Sequence, residues 1–411
     1  MTSSVRMPAD TKPPTNLPPS STRALPAGVW ALGFVSLLMD LSSEMIHSLL
    51  PVYLVVGMGA STLEVGVIEG IAEATAAITK VFSGALSDWL GRRKLLAALG
   101  YGVAAVVKPV FPLATSLGWV VAARFADRVG KGIRGAPRDA LVADIAPADQ
   151  RGAAFGLRQS LDSVGAFLGP LGAMVLMWAT AGAFRVVFWA AVIPAVLSVL
   201  LILFAVREPP HKAAKPARVP LRRAELDRLS HRYWAVVGVA SLFTLARFSE
   251  AFLILRAQSV ALPDALIPGV LVVMNAAYAL SAYPVGRLSD AMDRLHFLLL
   301  GLGLLVAADL VLAQANGVLA LLIGAALWGL HMGFTQGVLT TLVADEAPET
   351  LRGTAFGVFN LISGVALLVA SALAGALWAA AGPQATFLAG ATFAALSGVG
   401  LVALRRKPSG H

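Results

Sequence analysis

Cysteine is absent from the 411 residues, so neither disulfides nor thiolate metal sites contribute to this chain. Charge is scarce as well. Asp, Glu, Lys and Arg make up 13%, against about 25% in a soluble globular chain, while apolar residues reach 57%. So few charges cannot carry that much apolar side chain into water, which excludes a soluble protein. A mean hydropathy of +0.77 assigns the chain to a bilayer. The same composition excludes disordered, collagen-like and nucleic-acid-binding classes, despite a net charge of +9. No P-loop pattern occurs, which argues against ATP-driven transport.

What is present is a succession of apolar runs. Against the ~20 residues a helix needs to cross a bilayer, twelve runs qualify, near 27–56, 63–87, 95–115, 117–143, 152–178, 184–206, 232–257, 266–288, 296–314, 317–343, 353–379 and 384–404. The expectation is an all-α membrane protein. Residues 1–26 are polar and proline-rich, with no apolar stretch shaped like a signal peptide, and read as a disordered cytoplasmic tail.

Basic residues fall on alternate connections: Arg92, Arg93 and Lys94, then Arg151, then Arg287 and Arg294, then Arg352. The 207–231 segment and the 405–411 tail are also basic, whereas the opposite set of loops contains no Lys or Arg. This one-sided distribution places both termini and the middle linker in the cytoplasm, in a multi-pass protein of a bacterial inner membrane. Anionic lipid headgroups account for the excess positive charge without any nucleic acid.

The chain is also a duplicated half. VADIAPADQRGAAFGL at 142–157 recurs as VADEAPETLRGTAFGV at 343–358, with ten of sixteen positions identical. GALSD at 84–88 recurs as GRLSD at 286–290. Two pseudo-symmetric six-helix bundles, 27–206 and 232–404, are therefore expected on either side of the basic linker 207–231, in one orientation because each holds an even number of helices.

Three segments carry a family resemblance. Gly84-Ala-Leu-Ser-Asp88-Trp-Leu-Gly91-Arg92-Arg93-Lys94 resembles the signature loop between the second and third helices of the major facilitator superfamily, with Trp89 in place of a basic residue. Gly165-Ala-Phe-Leu-Gly169-Pro170 is similar to the Gly-x-x-x-Gly-Pro signature of the superfamily's antiporter branches. Arg124 stands where the superfamily often has a buried Arg, although Asp127 and Arg128 replace the residues that usually follow. The resemblance implies the major facilitator fold with a substrate site between the halves. It implies a conformational latch at Gly84, Asp88, Gly91, Arg92 and Arg93, with a weaker copy at Gly286 and Asp290. It further implies a helix-packing motif at Gly165, Gly169 and Pro170.

An ionisable side chain at the bilayer centre costs about 2.5–3.5 kcal/mol and normally faces the bundle interior. Asp40, Glu44 and His47 lie on one stripe of the first helix, and Glu69, Glu73 and Lys80 repeat the arrangement on the second. With Asp162 of the fifth helix, Asp40, Glu44, His47, Glu69 and Glu73 form the expected proton-coupling set. Two acids one turn apart repel when both ionise, which suits a proton carrier. One such stripe does not complete a metal coordination shell. The fourth helix carries Arg124, Asp127, Arg128, Lys131, Arg134, Arg138 and Asp139 and cannot face lipid. Expected cavity and charge-partner residues are Arg124, Arg128, Arg158, Arg247, Glu250, Asn275, His331, Gln336 and Asn360. Arg158/Asp162 and Arg247/Glu250 are also spaced as intrahelical ion pairs, and Glu64 and Arg138 as helix-end charges that snorkel.

The functional expectation is a secondary transporter working by alternating access, with protons exchanged for a small organic, charged molecule in the direction of efflux. Proton symport or uptake of a metabolite or organic anion is the alternative. A polytopic enzyme or sensor is a distant one: His211, His231 and His411 have no ligand spacing, and a ~25-residue loop is too short for a soluble domain. No cofactor is called for beyond the proton gradient. The expected partners are the substrate, protons and membrane lipids, and the expected state is a monomer.

Overall fold

The computed structural model describes residues 24–209, 226–289, 294–347 and 351–405. Most of the 1–26 tail, most of the 207–231 linker, Asp290 and the end from 406 lie outside them. Among the described residues every regular element is helical.

The helices of the first half are α1 (Ala27–His47), α2 (Thr62–Leu90), α3 (Arg93–Val107), α4 (Leu117–Ile145), α5 (Arg151–Ala179) and α6 (Phe184–Ala205). In the second half, α7 runs as His231–Ala246 and resumes as Ala251–Ser259, followed by α8 (Gly269–Ser289), α9 (Arg294–Ala313) and α10 (Val318–Asp345). The helix Arg352–Arg405 turns at Gly382, whose φ of 81° is unsuited to a side chain. Pro383, without an N–H, follows it, dividing the segment into α11 (352–381) and α12 (383–405).

Nine described helical stretches are long and apolar enough to cross a bilayer, the last of them, Thr354–Ala403, containing both α11 and α12. Helices α2 and α4 are each 29 residues long but too charged to qualify by composition. With them the crossings number twelve. Trp178, Phe204 and Leu280 are 77%, 81% and 77% exposed, as suits side chains solvated by lipid rather than water.

Local chemistry sets several boundaries. Ser61 and Glu64 form a capping box that starts α2, the Ser61 N–H donating to Glu64 Oε2 at 2.7 Å. Glu64 is therefore a cap rather than the snorkelling charge expected from sequence. Gly91, at φ 61°, closes the other end of α2 with its N–H on Ser87 O. The expected continuous seventh helix is instead broken at Arg247–Glu250, where Arg247 has left helical geometry.

The two halves repeat one packing scheme. Helices α2 and α3 pack on α4 as α8 and α9 pack on α10, and α1 meets α5 as α7 meets α11. Between halves, α2 meets α11 and α5 meets α8, contacts exchanged by the same pseudo-symmetry. The α2–α11 contact is close: a Cβ on Gly66 would stand 2.3 Å from Ser371 O, and one on Gly375 2.6 Å from Thr62 O. Small residues permit such backbone approach, which drives helix association where lipid offers no hydrophobic contrast.

One hydrophobic core joins both halves, including Leu49–Leu54 and Phe111 from the first and Phe248, Phe252 and Leu271 from the second. At the end carrying Arg92, Arg93 and Arg151 the cores are separate. One holds Val29, Leu32, Tyr101 and Val142 of the first half, the other Tyr233, Val343 and Ala355 of the second. The halves are thus sealed together away from the basic loops and part towards them.

Candidate functional site

Below the seal lies a cavity of about 750 Å³, lined from both halves. Helix α1 contributes Asp40 and Glu44, α2 Glu73 and Lys80, and α4 Lys131, Arg134 and Arg138. The fifth helix adds Gln159 and Asp162, and the second half adds Phe243, Arg247, Gln336 and Asn360. A recess of about 240 Å³ shares Glu44, Glu73, Lys131 and Arg247 with it, and adds His47, Arg128, Glu250 and Asn275. The α7 break forms one wall of that recess through Arg247, Phe248, Ser249 and Glu250.

The α1 stripe is held by the glycine motif of α5. A Cβ on Gly165 would meet Leu37 O at 2.6 Å and Asp40 Cβ at 3.1 Å, and one on Gly169 would meet Glu44 Cβ at 2.6 Å. The motif is therefore the seat on which Asp40 and Glu44 rest, and Pro170 lies inside the same helix.

Behind the cavity wall the charges of the first half are largely paired. His47 Nδ1 lies 3.3 Å from Glu44 Oε2 and its Nε2 3.6 Å from Glu69 Oε2, so one imidazole bridges a cavity carboxylate and a buried one. Arg124 Nη2 donates to Glu69 Oε2 at 2.6 Å, and Arg128 Nη1 to Glu73 Oε1 at 3.0 Å. Lys108 Nζ donates to Asp127 Oδ1 at 3.0 Å and to Ser43 Oγ at 3.1 Å. Asp162 pairs with Arg158 and lies 3.9 Å from Arg138, which also contacts Asp139 at 3.1 Å. Partners of this kind are what make such side chains tolerable at hydrocarbon depth.

Six cavity or recess charges have no oppositely charged side chain within 4 Å among the described residues: Asp40, Lys80, Lys131, Arg134, Arg247 and Glu250. Arg134 is 4% exposed and rests on the Tyr101 ring at 5.0 Å, with Nη1 unpartnered. Arg247 leans on the Phe243 ring at 5.8 Å. Arg247 and Glu250 do not form the ion pair their spacing allows, because the helix breaks between them.

Of the residues singled out from sequence, Asp40, Glu44, Glu73, Asp162, Arg247, Gln336 and Asn360 meet at the cavity, and His47, Arg128, Glu250 and Asn275 at the recess. Asn275 also donates to Ala166 O at 2.9 Å, joining α8 to α5. The remaining residues take other places. Arg124 and Glu69 are a buried pair outside the cavity, since they face α2 and α4 rather than the space between halves. Arg158 lies behind Asp162 as its intrahelical partner. His331, expected at the cavity, is instead fully buried against Trp328 and Phe243 and lines neither the cavity nor the recess, a correction of that expectation. Arg138, expected to snorkel, lines the cavity and donates to Ser36 Oγ at 3.1 Å.

The signature loop binds within its own half. Arg93 bridges Asp144 and, at 3.5 Å, Asp88, while the N–H groups of Arg93 and Lys94 donate to Glu208 Oε1. The Asp88 side chain is 62% exposed, and Arg92 is exposed. Gly84 allows contact with Ala136 of α4, where an added Cβ would stand 3.3 Å from its methyl. A Cβ on Gly286 meets nothing within 4 Å, and Asp290 lies outside the described residues. Sequence reasoning left Lys80, Lys131 and Arg134 out of the site and passed over Lys108. The spacing of Lys131, Arg134 and Arg138, three and four apart, was the available signal for a basic face on α4.

A family model described as Major Facilitator Superfamily matches residues 32–270 and again 256–411. An uncharacterized MFS-type transporter of Methanocaldococcus jannaschii is 33% identical over 390 residues, covering 92% of this chain and 94% of the relative. The inner membrane transport protein YajR of Escherichia coli is 26% identical, covering 89% and 81%. Among solved structures, a POT family transporter in complex with a thioalcohol-conjugated peptide superposes with a TM-score of 0.78 at 12% identity, covering 92% and 96%. The human organic anion transporter MFSD10 superposes with a TM-score of 0.64 at 19% identity, covering 91% and 99%.

Proposed function

Because this chain belongs to the major facilitator superfamily, a family of transporters rather than enzymes, we propose that it moves a small charged organic molecule by alternating access coupled to protons. The observation that carries the coupling is Asp40. It is a carboxylate on the wall of a cavity between the halves, with no basic side chain within 4 Å among the described residues. Such a group can take up and release a proton as the cavity changes its exposure, while Glu44, Glu73 and Asp162 are engaged with His47, Arg128 and Arg158. His47, between Glu44 and Glu69, offers a second proton position.

With both termini and the linker in the cytoplasm of a bacterial inner membrane, the cavity opens inwards and the α2–α11 seal faces outside. The Asp88 loop then latches the opposite, outward-open state, in accord with its exposure here. The carrier works as a monomer among membrane lipids, with the proton gradient as its energy source.

Two directions of coupling have support. The seat formed by Gly165, Gly169 and Pro170 is the feature similar to antiporter branches and favours export in exchange for protons. The excess of unpaired cations in the cavity favours the second reading, in which an anion and a proton move together.

The test is a pH-dye assay in proteoliposomes offered a panel of drugs and organic acids. The expectation is a solute-driven proton signal that Asp40→Asn abolishes in a folded protein. A variant moving protons at the wild-type rate defeats the reading. Protons moving against the solute mean exchange, and protons moving with it mean symport.

A further inference from the structure

We propose that the substrate is an organic oxyanion, its carboxylate or phosphate group gripped by Lys131 and Arg134 of α4 from one half and by Arg247 at the α7 break from the other. This rests on the reading of the cavity as the transport site.

The argument is one of charge balance. Three of the five cavity and recess carboxylates are accounted for within the protein: Glu44 by His47, Glu73 by Arg128, and Asp162 by Arg158. That leaves Asp40 and Glu250 against Lys80, Lys131, Arg134 and Arg247, a surplus of two positive charges among unpaired groups. Unpaired cations inside a bundle are costly unless something compensates them. The unpartnered Nη1 of the nearly buried Arg134 shows one donor left over by the protein's own hydrogen bonding. Guanidinium groups offer the fork that binds an oxyanion at two points, and Lys131 adds a point charge.

The rest of the cavity gives the other part of the molecule. Phe243, Phe359 and Leu367 supply an apolar surface, and about 750 Å³ accepts a metabolite-sized body. Since Lys131 and Arg247 also line the inner recess, an anion there touches both halves beside the α7 break. A ligand held by both halves is one whose affinity depends on their relative position, which is the requirement for driving alternating access.

Coupling follows from the same groups. Asp40 shares the cavity wall with Asp162 of α5 and with Lys131, Arg134 and Arg138 of α4. Neutralising Asp40 with a proton removes a negative charge from the anion's surroundings and raises the cationic surplus. Proton and anion then strengthen each other's binding, by the same factor in both directions. This sign belongs to co-transport.

The test is thermal unfolding of the purified full-length protein at fixed ionic strength, with benzoate, phenyl phosphate and succinate as probes and benzamide and benzylammonium as controls. At least one anion should raise the unfolding midpoint while the controls do not, the carboxylate and phosphate arms telling which oxyanion fits. Arg247→Gln and Lys131→Gln should each weaken that anion by roughly 10- to 100-fold. Lys131→Gln removes an unpaired cation, so it leaves the fold intact even if the Arg247 variant does not fold. Stabilisation by benzamide or benzylammonium, no shift with any anion, or wild-type affinity in folded Lys131→Gln would each overturn the proposal. Binding needs no gradient. Intact anion binding with a proton signal untouched by Asp40→Asn therefore counts against the proton reading alone.

Discussion

The seal between α2 and α11 can be perturbed by one methyl group. In Gly66→Ala the added Cβ would stand 2.3 Å from Ser371 O, 3.2 Å from Gly375 Cα and 3.2 Å from Phe252 Cζ. Two of these three atoms are main chain, so no side-chain rotation relieves the contact and the helices must separate. Overpacking of this kind costs about 1–3 kcal/mol. Under the alternating-access proposal the cost falls only on the state in which this end is closed, because the opposite state requires α2 and α11 to part there. The equilibrium between the two states should therefore shift by roughly 5- to 150-fold away from the arrangement described above. The absence of cysteine gives a clean assay. A single Cys at Ser363, on the cavity wall, is labelled by an impermeant maleimide from the side of the basic loops, and Gly66→Ala should slow that labelling. Gly102→Ala, whose Cβ meets nothing within 4 Å, is the matched control and should change nothing. Unchanged labelling in Gly66→Ala, with or without a lower unfolding midpoint, would refute the reasoning, since the methyl would then burden both states alike or neither.

Other perturbations give separate readouts. Glu69→Gln leaves the Arg124 charge buried without its carboxylate and should cost about 3–5 kcal/mol, seen as a fall in the unfolding midpoint. Lys108→Met removes the nearer of the two cations on buried Asp127, leaving Arg128 Nε at 3.6 Å, and should also lower the midpoint; adding Asp127→Asn should recover part of the loss. Gly169→Ala drives a Cβ to 2.6 Å from Glu44 Cβ and 2.9 Å from Leu41 O. It should lower stability by about 1–3 kcal/mol and reduce solute-driven proton flux, because it moves the stripe that carries Asp40.

The fold was legible because it is written in gross features. Apolar length located the crossings, and the repeated VAD and GALSD segments disclosed the duplicated halves. The runs at 63–87 and 117–143 were among those crossings in spite of their charges, and as α2 and α4 they supply much of the charged lining of the cavity. The α1 stripe could be seen from spacing alone, since a helix fixes which of its residues share a face. Whether a face meets the cavity or a neighbouring helix depends on tertiary packing. That is why Asp40 and Arg247 line the cavity while Arg124, Glu69 and His331 are interior. The pairing of Lys108 with Asp127 joins two helices and leaves no trace in either sequence segment. The break at Arg247–Glu250 has neither Gly nor Pro to announce it.

The central claim is that Asp40 gains and loses a proton in the cavity. Infrared difference spectroscopy of the reconstituted protein between alkaline and acidic buffer reads this without knowledge of the substrate. A protonated-carboxyl C=O band should grow on acidification in the wild type and be missing in Asp40→Asn, with the other carboxyl bands retained. A spectrum identical in the two proteins would contradict the account.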